Sequence, residues 1–199
     1  REHMDVILIG NPGTGKTFLA KCIATAACNA NIKVLFTTAV DMINHLIAAE
    51  AISRSTGRRR TLVTTLAGMA QLHRDAGDVA SALPLFEEAV THCQQLRDPQ
   101  LLAHALRHLG EVHLELRHFD RAQQLLRDAL DSYRTQPGTG PLDLANAVRP
   151  LALCLERQGA ADESSALWAE ARDLYGALGI AAGVSECEAA VARLPPRTD

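Results

Sequence analysis

The feature that most constrains the fold of this chain is an internal repeat that begins after Arg60. A pattern of small and large apolar residues occurs three times, at steps of 40 and 42 residues. The small residues, which suit places where two helix backbones approach closely, are Ala70 and Ala82, Gly110 and Ala122, and Ala152 and Ser164. The large residues that fill the space between layers are Phe86, Leu126 and Trp168. Because apolar residues lie three and four apart, each unit is predicted to be a helix pair that stacks on the next.

Residues typical of turns separate the two predicted helices of each unit, at 76–78, 117–120 and 158–160. Gly77 and Gly159 suit the left-handed position that ends many helices, because glycine has no Cβ to oppose that conformation. Asp78 and Asp120 suit the N-cap position, where a carboxylate accepts hydrogen bonds from free backbone N–H groups. Each unit should therefore be a helix, a tight turn and a second helix.

Prolines and glycines mark further boundaries. The segment Pro137–Pro141 predicts a loop between the second and third units. Pro84 is predicted to lie in the first turn of a helix, where proline is tolerated, whereas Pro150 is expected to kink the first helix of the third unit. Residues 180–194 predict one more helix, which would cover the apolar end of the stack. The predicted architecture is mainly α, an α–α superhelix of three helix pairs with a capping helix.

These residues resemble the tetratricopeptide (TPR) family, in a version with longer loops than the usual unit of about 34 residues. The resemblance covers residues 61–194, and it implies a scaffold that holds a protein or peptide in a concave groove lined by the first helix of each unit. The polar residues of those helices that we expect to contact the partner are Arg74, His104, Arg107, Glu111 and Arg149.

A second motif lies near the start of the chain. Residues 5–10 (DVILIG) are apolar and rich in β-branched side chains, which predicts a buried strand that ends in a turn. The turn fits the phosphate-loop pattern G-x-x-x-x-G-K-[ST], with the residues Gly10, Asn11, Pro12, Gly13, Thr14, Gly15, Lys16 and Thr17. In such a loop the backbone N–H groups surround the phosphates of ATP, Lys16 reaches the β and γ phosphates, and the Thr17 hydroxyl binds Mg²⁺.

The segment after this loop predicts a helix at 18–30, a strand at 33–38 and a helix at 41–51, which gives a truncated α/β segment in the order β-α-β-α. Together with the phosphate loop, this stretch resembles the IstB-like family, ATPases that assist insertion-sequence transposases. The resemblance covers residues 1–51. It implies an alternative function, an ATP-binding helper of DNA transposition.

The acidic strand that would complete such an ATPase site is missing from the sequence. ATPases of this class need an apolar run that ends in Asp or Asp-Glu, which holds Mg²⁺ and orients the attacking water. No such run follows residue 51. ATP with Mg²⁺ is therefore the only cofactor that the sequence suggests, and we expect weak binding or none, and no hydrolysis.

Composition also differs between the phosphate-loop segment and the repeats. All three lysines lie within the first 33 residues, and beyond them arginine takes the place of lysine throughout. We infer two segments of different origin in one chimeric chain. The predicted boundaries are a truncated P-loop segment at 1–52, a linker at 53–60 and a TPR-like repeat domain at 61–199.

The net charge of −3 and the pI of about 6.2 offer no general attraction for nucleic acid or for an anionic membrane. No apolar run is long enough to span a membrane, and no signal-peptide pattern opens the sequence. The five cysteines are scattered without a CxxC pair, so neither a disulfide framework nor a zinc site is indicated. We therefore expect a cytoplasmic protein that binds another protein, with nucleic acid as a partner only under the transposition alternative.

Three other polar groups have two interpretations each. His104 and His108 are four residues apart on a predicted helix, a spacing that can hold a metal, but no acidic or cysteine partner completes the site and packing is favoured. The arginines at 58–60 favour a solvated linker over a phosphate contact. The acidic residues at 87–88 and 111–115 favour a solvated helix face over carboxylate chemistry. No catalytic residue is predicted.

Overall fold

The computed structural model describes residues 39–194, and side chains from Asn44 onward. The chain divides into two units, residues 1–44 and 45–199. The phosphate loop, both predicted strands and the helix predicted at 18–30 lie outside the described residues, as do the residues after Leu194.

The described residues form eight helices and no strand. The bounds are α1 Ala39–Thr56, α2 Arg59–Asp75, α3 Val79–Leu96, α4 Pro99–Glu115, α5 Phe119–Thr135, α6 Pro141–Gln158, α7 Ala161–Ala177 and α8 Ala181–Arg193. Within this part of the chain no helix has both the length and the apolar character that crossing a membrane requires.

The helices from α2 onward pack as successive pairs. Helix α2 packs on α3, α4 on α5 and α6 on α7, while α8 packs on α7. Consecutive pairs meet through α3 with α4 and α5 with α6, and the first helices α4 and α6 also touch each other. The prediction of a mainly α fold with three helix pairs and a capping helix is confirmed for these residues.

Two of the three predicted turns have the predicted chemistry. Gly77 and Gly159 both have a φ of +81°, the left-handed region that glycine enters without strain. Asp78 is the N-cap of α3, and its carboxylate accepts a hydrogen bond from the Ser81 backbone N–H at 3.2 Å. Local sequence therefore ends one helix and starts the next at these places.

The start of α5 differs from the prediction. His118 is the N-cap, without a side-chain hydrogen bond, and Asp120 already lies in the first turn of the helix. The Asp120 carboxylate instead accepts a hydrogen bond from the side-chain amide of Gln158, 3.1 Å away on α6. The prediction that Asp120 caps the helix was wrong because the chain reverses at Arg117, which takes a left-handed φ of +63°, so the helix begins before Asp120.

One of the two prolines inside helices lies elsewhere than predicted. Pro84 is the sixth residue of α3, in the second turn rather than the first. Pro150 is buried in the interior of α6, which continues as one helix from Pro141 to Gln158. A proline in a helix interior removes one backbone hydrogen bond. The kink expected at Pro150 stays a prediction.

The small residues of the repeat lie where helices meet, as predicted. Ala70, Ala82, Ala122, Ala152 and Ser164 have no exposed surface. A Cβ added to Gly110 would lie 2.7 Å from Cγ of Leu126, so only glycine allows α4 to approach α5 this closely. Buried Ser164 donates a hydrogen bond to the Ala152 carbonyl oxygen at 2.9 Å, which satisfies its hydroxyl.

The segment predicted as a linker contains ends of two helices. Helix α1 continues to Thr56, Gly57 takes a φ of +66°, and α2 begins at Arg59. The helix predicted at 41–51 is present within the longer α1. In this segment Ser53 is 2% exposed and Arg54 forms ion pairs with Glu50 and with Glu88 of α3.

Candidate protein-binding face

The residues predicted to contact a partner all lie on first helices of the pairs. Arg74 is on α2, His104, Arg107 and Glu111 are on α4, and Arg149 is on α6. Positions 104, 107 and 111 are three and four residues apart, so they share one side of α4. We call the surface formed by the polar side chains of the first helices α2, α4 and α6, together with those of the capping helix α8, the first-helix face.

Glu111 joins two helices at the centre of this face. One carboxylate oxygen accepts a hydrogen bond from Arg74 of α2 at 2.6 Å, and the other accepts from Arg107 on its own helix. Arg74 also donates to Glu115 at 2.7 Å. The side chains of Arg74, Arg107 and Glu111 are only 18%, 12% and 13% exposed. Three of the predicted residues therefore form one largely covered network.

The environment of Glu111 keeps it ionised. Burial alone would raise its pKa, but the approach of His108 and the positive charges of Arg107 and Arg74 outweigh burial and lower the pKa to about 2. The prediction that the acidic residues at 111–115 form a solvated face is wrong for Glu111, because Arg74 reaches across from the neighbouring repeat and covers it. Sequence periodicity on one helix does not show such a contact.

The two histidines of α4 pack against each other and against the core. Their rings meet edge to face with centroids 4.6 Å apart, and the His108 ring stacks on Phe86 with centroids 5.5 Å apart. Arg107 lies 2.8 Å from Nε2 of His108, so this nitrogen must be an acceptor in a neutral ring. Burial lowers the pKa of His108 and of His104, which favours the neutral form of both. Across residues 44–194 no group of three or more His, Cys, Asp or Glu is placed to hold a metal ion.

Arg149 belongs to a separate ion pair on the same face. Its Nε and Nη2 donate to the two carboxylate oxygens of Glu186 on α8, at 2.9 Å and 2.8 Å. Both side chains remain open to solvent, with 40% and 45% exposed. The structure thus brings Arg74, Arg107 and Glu111 together, places His104 beside them, and pairs Arg149 elsewhere.

Sequence reasoning missed several residues of this face. Glu115 and Glu186 hold the arginines, and His108 lies between Phe86 and Arg107. Two of these ion pairs share one spacing, which becomes visible only once one of the contacts is known. The spacing from Arg74 to Glu111 is 37 residues, and the same spacing from Arg149 ends at Glu186. The predicted phosphate-loop residues 10–17 lie outside the described residues, so their role stays a prediction.

Comparison with known proteins finds relatives for both parts of the chain. The family model described as Tetratricopeptide repeat matches residues 43–135. The family model described as ATPase family associated with various cellular activities (AAA) matches residues 6–76. The two matches share residues 43–76. No curated protein matches this chain.

Solved structures with a similar fold include BtubC (BKLC) from P. vanneervenii, with a TM-score of 0.61 and 22% sequence identity. The match covers 76% of this chain and 63% of BtubC, so the chain spans less than two thirds of that protein. The MamA protein matches with a TM-score of 0.46 and 14% identity, over 75% of this chain and 89% of MamA. The described helices therefore have the TPR-like repeat fold, residues 43–135 are similar to the tetratricopeptide repeat family, and residues 6–76 are similar to the AAA ATPases.

Proposed function

We propose that this chain is a protein-interaction scaffold whose first-helix face holds a peptide or helix of a partner protein. The observation that carries the proposal is the network around Glu111. It fixes Arg74 and Arg107 in place before any partner arrives, with hydrogen bonds from two helices. Side chains that are already ordered lose less conformational freedom on binding, which favours affinity.

The charges of this face indicate how a partner would be selected. Arg74, Arg107 and Arg149 are each matched by a carboxylate of Glu111, Glu115 or Glu186. With both α4 histidines neutral, the face has no large net charge. Selection by hydrogen bonds and shape is therefore expected to outweigh attraction by net charge.

Two exposed residues of the face and one matched control test the proposal. Three variants of the tagged full chain, His104→Ala, Arg149→Ala and Arg134→Ala, are used beside the wild type to capture partners from a cell extract. Arg134 pairs with Glu170 across α5 and α7, with 44% and 36% of the two side chains exposed. It therefore loses an ion pair much like that of Arg149 on helices outside the first-helix face.

A partner of the face is identified as one that the Arg134 variant retains and the other two variants lose. Its binding segment is then synthesised, and titration calorimetry measures the affinity of each form. We expect the His104 and Arg149 variants to bind at least tenfold more weakly, and the Arg134 variant to match the wild type. Equal affinity for all three forms would show that this face is not the binding surface.

A second candidate function rests on the AAA match at residues 6–76. Under it, the phosphate loop at residues 10–17 binds ATP, Lys16 holds the phosphates, Thr17 binds Mg²⁺, and the protein assists transposition as an IstB-like helper. Titration with a fluorescent ATP analogue tests this. Saturable binding that Lys16→Ala abolishes would support it, and no binding by the wild-type chain would reject it. Because no acidic strand follows in the sequence, we expect no ATP hydrolysis in either case.

A further inference from the structure

A small polar cleft opens at one end of the first-helix face. It lies where α2, α4 and α6 begin and α5 ends, and its volume is about 220 Å³. The polar residues that line it are Arg60, Asp98, Gln100, His104, Tyr133 and Asp143. A space of this size admits the end of one side chain, not a helix or strand of a partner.

Two of the charged groups of the cleft already neutralise each other. The Asp98 carboxylate is the N-cap of α4, accepts a hydrogen bond from the Leu101 backbone N–H at 3.0 Å, and forms an ion pair with Arg60. Asp143 is different. It stands in the first turn of α6 and forms no ion pair with any residue whose side chain is described, 44–194. The cleft therefore carries one negative charge without a counter-ion among these residues.

The other polar groups of the cleft can accept hydrogen bonds. Tyr133 is 2% exposed, its ring lies in the core, and its hydroxyl group lies within reach of the Arg107 guanidinium. Burial raises the pKa of Tyr133, so the phenol stays neutral, with oxygen lone pairs as well as the proton. His104 is neutral, and Gln100 brings an amide oxygen. Arg107 lies beside the phenol, but Glu111 already balances its charge.

We propose that this cleft binds the cationic end of a lysine or arginine side chain from a partner peptide that lies on the first-helix face. Asp143 provides the opposite charge, and Tyr133, His104 and Gln100 accept the remaining N–H groups. This inference rests on the proposed function for the identity of the partner. The pocket chemistry can be tested without that partner, because a single amino-acid derivative carries the recognised group.

The test uses the full chain labelled with ¹³C in its tyrosine rings. The chain has two tyrosines, and Tyr175, whose hydroxyl donates to Asn146 at 3.0 Å, serves as an internal reference. N-acetyl-lysine amide and N-acetyl-arginine amide are titrated at constant ionic strength, and N-acetyl-norleucine amide is the neutral control. We expect the cationic probes to shift the Tyr133 signals saturably in the millimolar range, with the norleucine probe leaving them unchanged. Equal shifts with all three probes would overturn the proposal.

Two variants and a matched control assign the site. Asp143→Asn keeps the size of the side chain and removes its charge, while Asp162→Asn makes the same change in the first turn of α7, outside the cleft. Asp143→Asn is expected to weaken binding of both cationic probes about tenfold, and Asp162→Asn to leave it unchanged. Tyr133→Phe, followed through the Gln100 side-chain amide signal, should weaken it severalfold. If Asp143→Asn and Asp162→Asn bind alike, the cleft is not a cation site.

The outcome is separable from that of the proposed function. If the partner binds the variants of the first-helix face as well as the wild type, but the cationic probes still bind in an Asp143-dependent way, then the cleft is a cation site and the proposed function is wrong. If the partner depends on the face but no probe shifts Tyr133, the face stands and the cleft proposal fails. Circular dichroism of each variant shows that it is folded before it is titrated.

Discussion

Two junctions on the first-helix face, α2 with α4 and α6 with α8, use the same pair of residue types in different surroundings. Arg74 of α2 binds Glu111 of α4, and Arg149 of α6 binds Glu186 of α8, and the partners are 37 positions apart in both cases. In the first junction the two side chains are 18% and 13% exposed, and in the second they are 40% and 45% exposed. The difference follows from position, since another repeat packs beyond α4 whereas α8 is the last described helix.

Because of this difference in exposure, loss of one partner should lower the free energy of unfolding more in the first ion pair than in the second. An exposed pair gains little, because water screens the charges and both long side chains lose freedom. A largely covered pair costs desolvation, so its net value is modest, but removal of one member leaves the other charged and poorly solvated. The first junction should therefore be sensitive to loss of one partner and the second should tolerate it.

Glu111→Ala should have the largest effect. It leaves Arg74 without its 2.6 Å partner and Arg107 without its partner on α4. We expect the free energy of unfolding to fall by about 3 kcal/mol, measured by urea denaturation followed by circular dichroism. A loss below about 0.5 kcal/mol would show that the covered network behaves like an exposed one.

Gly110→Ala should rank second, because it overfills the interface between α4 and α5, next to Glu111. The new Cβ would lie 2.7 Å from Cγ of Leu126, and a loss of about 2 kcal/mol is expected. Gly176→Ala on α7 is the matched control, since its Cβ would meet Val184 at an ordinary 3.9 Å. That change should be neutral or stabilise by up to about 1 kcal/mol through helix propensity. Equal losses in both variants would exclude close packing as the cause.

The acid dependence of stability should come third. The pKa of Glu111 falls from 4.5 to about 2 in the folded chain, so the unfolded chain binds the proton first as the pH drops. Its stabilisation is present above pH 4.5 and is lost toward pH 2. Between pH 4.5 and 3 we expect Glu111 to account for a loss of about 1.5 kcal/mol, which Glu111→Gln should remove from the curve of unfolding free energy against pH. An unchanged curve for this variant would refute the assignment.

His104 and His108 should also make the folded chain less stable as the pH falls, but in a higher pH range than Glu111. Burial lowers the pKa of His104 and of His108 from 6.5, so protons favour the unfolded chain below that value. Stability contributed by the neutral rings is present above pH 6.5 and declines as the pH falls. A double His104→Gln, His108→Gln variant should show a shallower decline between pH 6.5 and 5 than the wild type.

Glu186→Ala should have the smallest effect. It breaks the exposed pair with Arg149, and we expect a change below about 0.5 kcal/mol in the same denaturation experiment. A loss comparable to that of Glu111→Ala would mean that solvent exposure does not explain the difference between the two junctions.

Much of the fold could be predicted from local pattern. The positions of Ala70, Gly110 and Ala152 on first helices, and the turns at Gly77 and Gly159, follow from residue size and from glycine's tolerance of positive φ. The start of α5 could not be predicted in the same way, because Arg117 takes a left-handed conformation that its residue type does not favour. A non-glycine residue adopts that conformation only where the surrounding packing compensates the strain.

The candidate binding face was predicted only as a set of residues. Their helices were correct, but Glu111 was expected on a solvated surface and is largely covered, and the partners Glu115 and Glu186 were not identified. Contacts between repeats depend on how far each helix is shifted and rotated against its neighbour. Local periodicity describes one helix at a time and contains no such information.

The sequence by itself determined that small residues recur where helices must approach, because close contact between two backbones excludes a larger side chain. This recurrence predicts that this part of the chain forms stacked helix pairs. The tertiary structure alone decided which charges meet. Arg74 and Glu111 are 37 residues apart in the chain and 2.6 Å apart in space. Whether such an ion pair is buried or exposed to water depends on the next layer of helices. This burial sets how much free energy of unfolding is lost when one partner is removed.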